Sequence, residues 1–151
     1  MNKYYTPNIE EFYVGFEYER KHIVEQTNST VVEWRKQEIS RASEISIVDM
    51  TLGTPKMDGS QIRVKYLDDS DIEELGFKYK AKTIDLWFEK EGIYLREDGH
   101  HLTNIKLQYG LHDNKLKITF CYVSGEEQIH FEGKIKNKSE LVKLLKMLEI
   151  N

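Results

Sequence analysis

The sequence predicts an α+β fold. Its main body is an antiparallel β meander of about six to eight strands, joined by short turns. A C-terminal helix covers it, and a short helix follows a strand at Ile62–Leu67. Three observations carry this reading. Between Lys82 and Lys136 apolar residues recur at every second position: Leu116, Ile118, Phe120 and Tyr122 alternate with Lys115, Lys117, Thr119 and Cys121. A period of two puts one set on each face of a strand, so the meander has one packed face and one wet face. Near the end, Leu141, Leu144, Leu145 and Leu148 recur at three and four residues, the stripe of a helix that can cover such a sheet. Between these, Ile62, Val64 and Tyr66 read as a strand, and Ser70-x-x-Glu73 has the spacing of a capping box.

The elements follow in order. Phe12, Val14, Phe16 and Tyr18 alternate as one face of a strand, with Gly15 permitting a bend or bulge. The polar stretch Arg20–Thr30 reads as a loop, and Val31–Ile39 as a strand because of its β-branched and aromatic residues. Ile45 and Ile47 suggest a short strand, and Thr51–Ser60 a turn-rich connection. After the short helix, Gly76 supplies a left-handed stop. The meander then runs through Ile84, Leu86 and Phe88, a turn at Glu91-Gly92, Ile93 and Leu95, and a turn at Asp98-Gly99. Ile105, Leu107 and Tyr109 make the next face. Beyond Ser124-Gly125, Ile129, Phe131, Gly133 and Ile135 make the last. Asn137 or Ser139 can cap the final helix, and Asn137-x-x-Glu140 has the capping-box spacing.

A chain of 151 residues with 39% hydrophobic and 32% charged residues suits one α+β domain spanning 1–151. No apolar run approaches the length of a membrane span, and the opening lacks a secretory h-region, so a cytoplasmic protein is expected. Cys121 is the single cysteine, which precludes an internal disulfide. Residues 1–75 carry nine basic against fifteen acidic side chains (−6), and residues 76–151 carry thirteen against eleven (+2). Neither half has the basic excess that grips a phosphate backbone, which disfavours nucleic acid.

Candidate sites are few. Glu17 and Glu19 share a strand face and could hold a divalent cation, but cross-strand ion pairs with Arg63 and Lys65 explain them more simply. Trp87, Tyr94 and Tyr109, with nearby lysines, could form an aromatic binding face, and Arg63 and Lys65 could contact a ligand or partner. The five histidines show no metal-site spacing, and a Cys121–His130 dyad has no oxyanion site beside it in the sequence. Glycine-rich phosphate loops are absent, so no cofactor is implied.

The segments Tyr5–Glu19, Ile62–Asp68, Asp71–Phe77 and Phe131–Leu141 resemble a small uncharacterised protein family encoded by phages and prophages of gut Bacteroidota. That resemblance implies a mobile-element origin and life in the cytoplasm of an infected or lysogenic host cell, but no catalytic residues. The sequence therefore favours a non-enzymatic binding or accessory protein. Its partner is expected to be a host or phage protein, with a homodimer also open. The alternatives are a small-ligand or nucleotide sequestering protein with an aromatic pocket, and a metal-assisted enzyme using Glu17 and Glu19.

Overall fold

In a computed structural model, residues 3–26, 29–53, 61–82, 85–95, 101–110 and 112–150 are described. The fold is mixed α+β, with antiparallel sheets of four and five strands and a helix near the C-terminus. The chain divides into two compact units, Met1–Tyr66 and Leu67–Asn151, each with an apolar core of its own.

The first unit holds β1 (Tyr4–Tyr5), β2 (Glu17–Gln26), β3 (Ser29–Glu38), helix α1 (Ala42–Gly53) and β4 (Ile62–Lys65), in the sheet order β1-β4-β2-β3. The aromatic opening is not one strand. Ile9–Glu11 form a 3-10 turn, and a tight turn follows in which the Phe16 N–H bonds to the Tyr13 carbonyl at 3.0 Å. Gly15 sits in that turn at φ 93°, where a side chain would strain the backbone, so the chain reverses before β2 begins. Phe12, Phe16 and Tyr18 still reach one core, with Ile39, Val48, Ile62 and Val64, while Val14 is left exposed.

Arg20–Gln26, expected as a loop, continues β2. It pairs along its whole length with β3, including Ile23 against Val32 and Val24 against Val31. Both faces of this hairpin carry charge, which hides the period of two. Ile45 lies in α1 rather than in a strand. The Ser40 N–H and hydroxyl both donate to the Glu44 carboxylate at 2.9 Å, closing the first turn and holding that carboxyl below its usual range. Ile45 and Val48, three residues apart, then meet the core. Of the connection expected at Thr51–Ser60, residues 51–53 belong to α1, and 54–60 lie outside the described residues.

The second unit opens with α2 (Asp69–Glu74), followed by the meander β5 (Lys78–Lys82), β6 (Leu86–Leu95), β7 (His101–Tyr109), β8 (Lys115–Tyr122) and β9 (Glu127–Lys134), and ends in α3 (Lys138–Met147). The α2 cap is Asp68 with Asp71, two residues earlier than Ser70-x-x-Glu73. Asp68 accepts from the Asp71 N–H at 3.2 Å, and Asp71 accepts from the Asp68 N–H at 3.3 Å. Asp68 has extended backbone geometry as the chain leaves β4, so the helix nucleates there. Gly76 ends it at φ 84°, and Phe77 closes into the core.

Glu91-Gly92 does not turn the chain. β6 continues through it with a register irregularity between Glu91 and Tyr94, and Lys80 of β5 holds the Glu91 carboxylate at 2.8 Å. The expected turn at Asp98-Gly99, and Ile84, fall outside the described residues. The inner face carries Leu86, Phe88, Leu102, Ile105, Leu107, Tyr109, Leu116, Ile118 and Phe120, all buried. Leu141, Leu145 and Ile150 join the same core, with Leu144 and Leu148 at its margin. The Asn137 side chain accepts from the Glu140 N–H at 2.9 Å, as its spacing indicates.

The last strand departs from simple alternation. Ile118 faces Phe131 but Thr119 faces Ile129, so His130 is an extra residue in β9. The bulge turns His130 inward, where its ring stacks on Phe120 at 4.0 Å and meets the Tyr122 hydroxyl at 2.8 Å. It turns Ile129 out into solvent, where 56% of its surface is exposed. Urea unfolding should show this division. Leu145→Ala should cost about 2–4 kcal/mol, as expected of a core leucine. Ile129→Ala should stay within about 0.5 kcal/mol of the parent. Equal losses would put Ile129 in the core after all.

Candidate functional site

The outer face of the five-stranded sheet is set by the same alternation that buries its inner face. Strand pairing aligns Trp87, Gln108, Lys117 and Glu132 in one row across β6–β9, and Glu89, Lys106, Thr119 and Ile129 in the next. Between these rows lies a depression of about 320 Å³ lined by Trp87, Lys106, Gln108, Lys117, Thr119, Glu127 and Ile129. Trp87 is 36% exposed, so its ring and Ile129 are two large apolar groups on an otherwise polar face. The Lys106 ammonium donates to Glu127 at 2.6 Å, which holds the Glu127 carboxyl below its usual range and raises Lys106. Lys115 holds Glu132 at 3.0 Å. Lys117 has no hydrogen bond or ion pair within 4 Å among the described residues. Its ammonium acts on the Glu132 carboxyl only through space, lowering its pKa, so it can also serve a ligand in the hollow. A second, more polar hollow of about 300 Å³ adjoins it, lined by Asp85, Gly110 and Asp113 with Gln108 and Lys117 shared.

The first unit has a different cluster, built from one side chain on each of its four strands. The Arg63 guanidinium of β4 lies 3.8 Å from the ring centroid of Tyr4 in β1 and 4.1 Å from that of Trp34 in β3. Its Nε and Nη2 donate to Glu19 Oε2 of β2 at 2.7 and 2.6 Å, and the Tyr4 hydroxyl reaches Glu19 Oε1 at 3.4 Å. Lys36 pairs with Glu17 at 2.8 Å. Glu19 thus pairs across the strands with Arg63, as its placement suggests, and Glu17 pairs with Lys36 of β3. Among the described residues no group of three or more His, Cys, Asp or Glu side chains is arranged to hold a metal ion.

Of the residues singled out from the sequence, Trp87 lies on the outer face of the second unit, whereas Arg63 and Lys65 belong to the first. Tyr109 is buried on the inner face, opposite to Trp87. Its hydroxyl donates to Asn114 Oδ1 at 3.0 Å, and burial pushes its pKa well up. The backbone of Tyr94 pairs with Leu102, while its side chain lies outside what the structure describes. Cys121 and His130 sit on opposite sheet faces. Burial raises the thiol, which sits beside Lys106 and Glu127. Lys106 and Lys117 were visible only as lysines near Trp87. Ile129 was missed because a strict period of two assigns it to the inner face. Compared with protein-family models, curated proteins and solved structures, the chain matches none.

The Arg63 cluster makes a clear prediction. Arg63→Met should lower stability by about 1–2 kcal/mol, and Arg63→Lys should restore less than half, because an ammonium cannot stack between two rings. Urea midpoints check this, and full rescue by lysine would reduce the cluster to a simple ion pair. Glu17→Gln combined with Glu19→Gln should give the same thermal midpoint shift in millimolar Mg²⁺ as in a chelator. A Mg²⁺-dependent stabilisation lost in that variant would assign the two carboxylates to a metal.

Proposed function

We propose that this chain is a non-enzymatic binding protein that docks a protein partner on the open outer face of its five-stranded sheet. The observation that carries the reading is the β9 bulge. It turns a partly buried imidazole toward Phe120 on the inner face and an isoleucine into solvent beside a half-exposed tryptophan. Strict alternation would put Ile129 inward and His130 outward, and local rules are broken most often where a surface has a task. Apolar anchors flanked by polar and charged side chains are the pattern of a protein-binding hot spot. The partner segment that suits it offers an apolar side chain between Trp87 and Ile129 and a carboxylate to Lys117. With the resemblance to phage and prophage proteins, the reading extends to an accessory protein of a mobile element, acting on a host or phage protein in the host cytoplasm. Among the described residues no helix is long and apolar enough to cross a membrane.

A second reading, sequestration of a small aromatic anion such as a nucleotide, is favoured by the Trp87 ring standing beside Lys106 and Lys117 in one hollow. Parallel captures from host lysate with the parent chain, Trp87→Ala and Lys117→Glu test both, followed by native mass spectrometry. Trp87→Ala should weaken partner retention at least about 30-fold, the loss of a hot-spot aromatic, and Lys117→Glu should weaken it as well. A small molecule held by the parent and lost from both variants would favour sequestration. Capture unchanged in both variants would remove this face from consideration.

A further inference from the structure

We propose that the free edge of β3 pairs antiparallel with β3 of a second copy of this chain, with Trp34 opposite Trp34. β3 ends the four-stranded sheet, is ten residues long and is exposed along most of its length. A long exposed edge is a template for another strand unless something blocks it.

The direction of its main-chain groups follows from two hydrogen bonds. The Lys21 N–H donates away from β3, to the Gln61 carbonyl at 2.9 Å, so the even-numbered residues of β2 turn their groups toward β3. Their partners in β3 are odd-numbered: Arg20 faces Arg35, and His22 faces Glu33. The Ile39 N–H bond to the Phe16 carbonyl, 3.0 Å, continues the same parity. Thr30, Val32, Trp34, Lys36 and Glu38 therefore present amide and carbonyl groups to the open edge.

A two-fold pairing of identical strands can centre on any residue of β3, and charge decides among the central positions. Centred on Glu33, Arg35 or Lys36, the strand sets like charges against each other. Centred on Val32, it pairs no opposite charges. Centred on Trp34, it sets Glu33 against Arg35 twice, Val32 against Lys36 and Thr30 against Glu38. The Glu33–Arg35 contacts then fall at non-hydrogen-bonded positions, where opposed side chains come closest. Within one copy Arg35 Nη2 already reaches Glu33 Oε2 at 2.9 Å, so these side chains share a face and need only exchange partners. The pairing adds about ten main-chain hydrogen bonds, two for each hydrogen-bonded residue pair. It also shelters Val31 and Val32, which are exposed in the single chain.

Light scattering coupled to size exclusion tests the pairing and its register. The parent chain should be a dimer. Glu33→Arg and Arg35→Glu should each weaken it at least about tenfold, because each sets two like-charged pairs across the two-fold. Mixed in equal amounts these two variants should form a heterodimer, since every crossed pair is then opposite in charge. Val32→Pro removes an N–H that bonds nothing within the hairpin, so it should give a monomer with unchanged circular dichroism. A monomeric parent chain at high micromolar concentration overturns the proposal. So does a dimer indifferent to all three substitutions, or a charge-swapped mixture that stays monomeric.

Discussion

Each antiparallel sheet in this protein can be dried on one face, and the remaining features of each unit follow from meeting that requirement. In the second unit the inner faces of β6, β7 and β8 present an apolar surface that no turn or loop could cover. α3 must therefore lie within reach, with its leucines at three- and four-residue spacing. Each fully buried side chain there contributes about 1.5–3 kcal/mol. The polar ends of the elements are consequently finished with care. Asp68 and Asn137 satisfy helix N-termini beside the core, and the Leu67 N–H bonds to the Lys136 carbonyl at 2.7 Å, tying the two helix approaches together.

Among the described residues the first unit has the smaller core, and it adds a cluster of side chains on its other face. Its four strands are crossed there by Tyr4, Arg63, Glu19 and Trp34, one from each, with a guanidinium between two rings and a carboxylate in its plane of donors. A two-residue strand such as β1 has little to hold it by ladder bonds alone. The stacking of Tyr4 on Arg63, and of Tyr5 on Tyr66 at 4.7 Å, gives it side-chain anchorage instead. Beyond this row the β2–β3 hairpin runs on with charged side chains on both faces.

How far the sequence revealed this depends on which force sets each element. Where one face is dry and the other wet, as in Ile105–Tyr109 or Leu116–Phe120, the period of two shows it directly, and α3 shows its own period equally well. Arg20–Gln26 does not show as a strand in the sequence because a hairpin with charged side chains on both faces has no reason to alternate. α1 was misread because Ile45 and Ile47 satisfy a strand pattern locally, whereas Ser40 with Glu44 decides the matter by a hydrogen bond invisible to periodicity. The Asp68 cap was displaced to Ser70 for the same reason, since both spacings fit and only the exit from β4 chooses between them. At the candidate site, Trp87 could be placed on the outer face from Leu86 and Phe88. Ile129 could not, because a single inserted residue at His130 reverses the face of everything before it.

That reversal is also the best physical reason to look for function on the outer face. A sheet dried on one side leaves its other side free of packing constraints, and polar side chains there cost nothing in stability. Gln108, Lys117 and Thr119 need no further explanation. Trp87 and Ile129 do, because exposed apolar area invites association and nothing in the core requires them to stand there. A regular β9 would have carried Ile129 inward against Phe120, where His130 now lies. Restoring that arrangement would add aliphatic burial, remove a partly buried imidazole, and erase one wall of the hollow beside Trp87. The bulge instead spends Phe120's partner position on an imidazole and leaves Trp87 and Ile129 as an apolar pair flanked by Lys106 and Lys117 on the outer face.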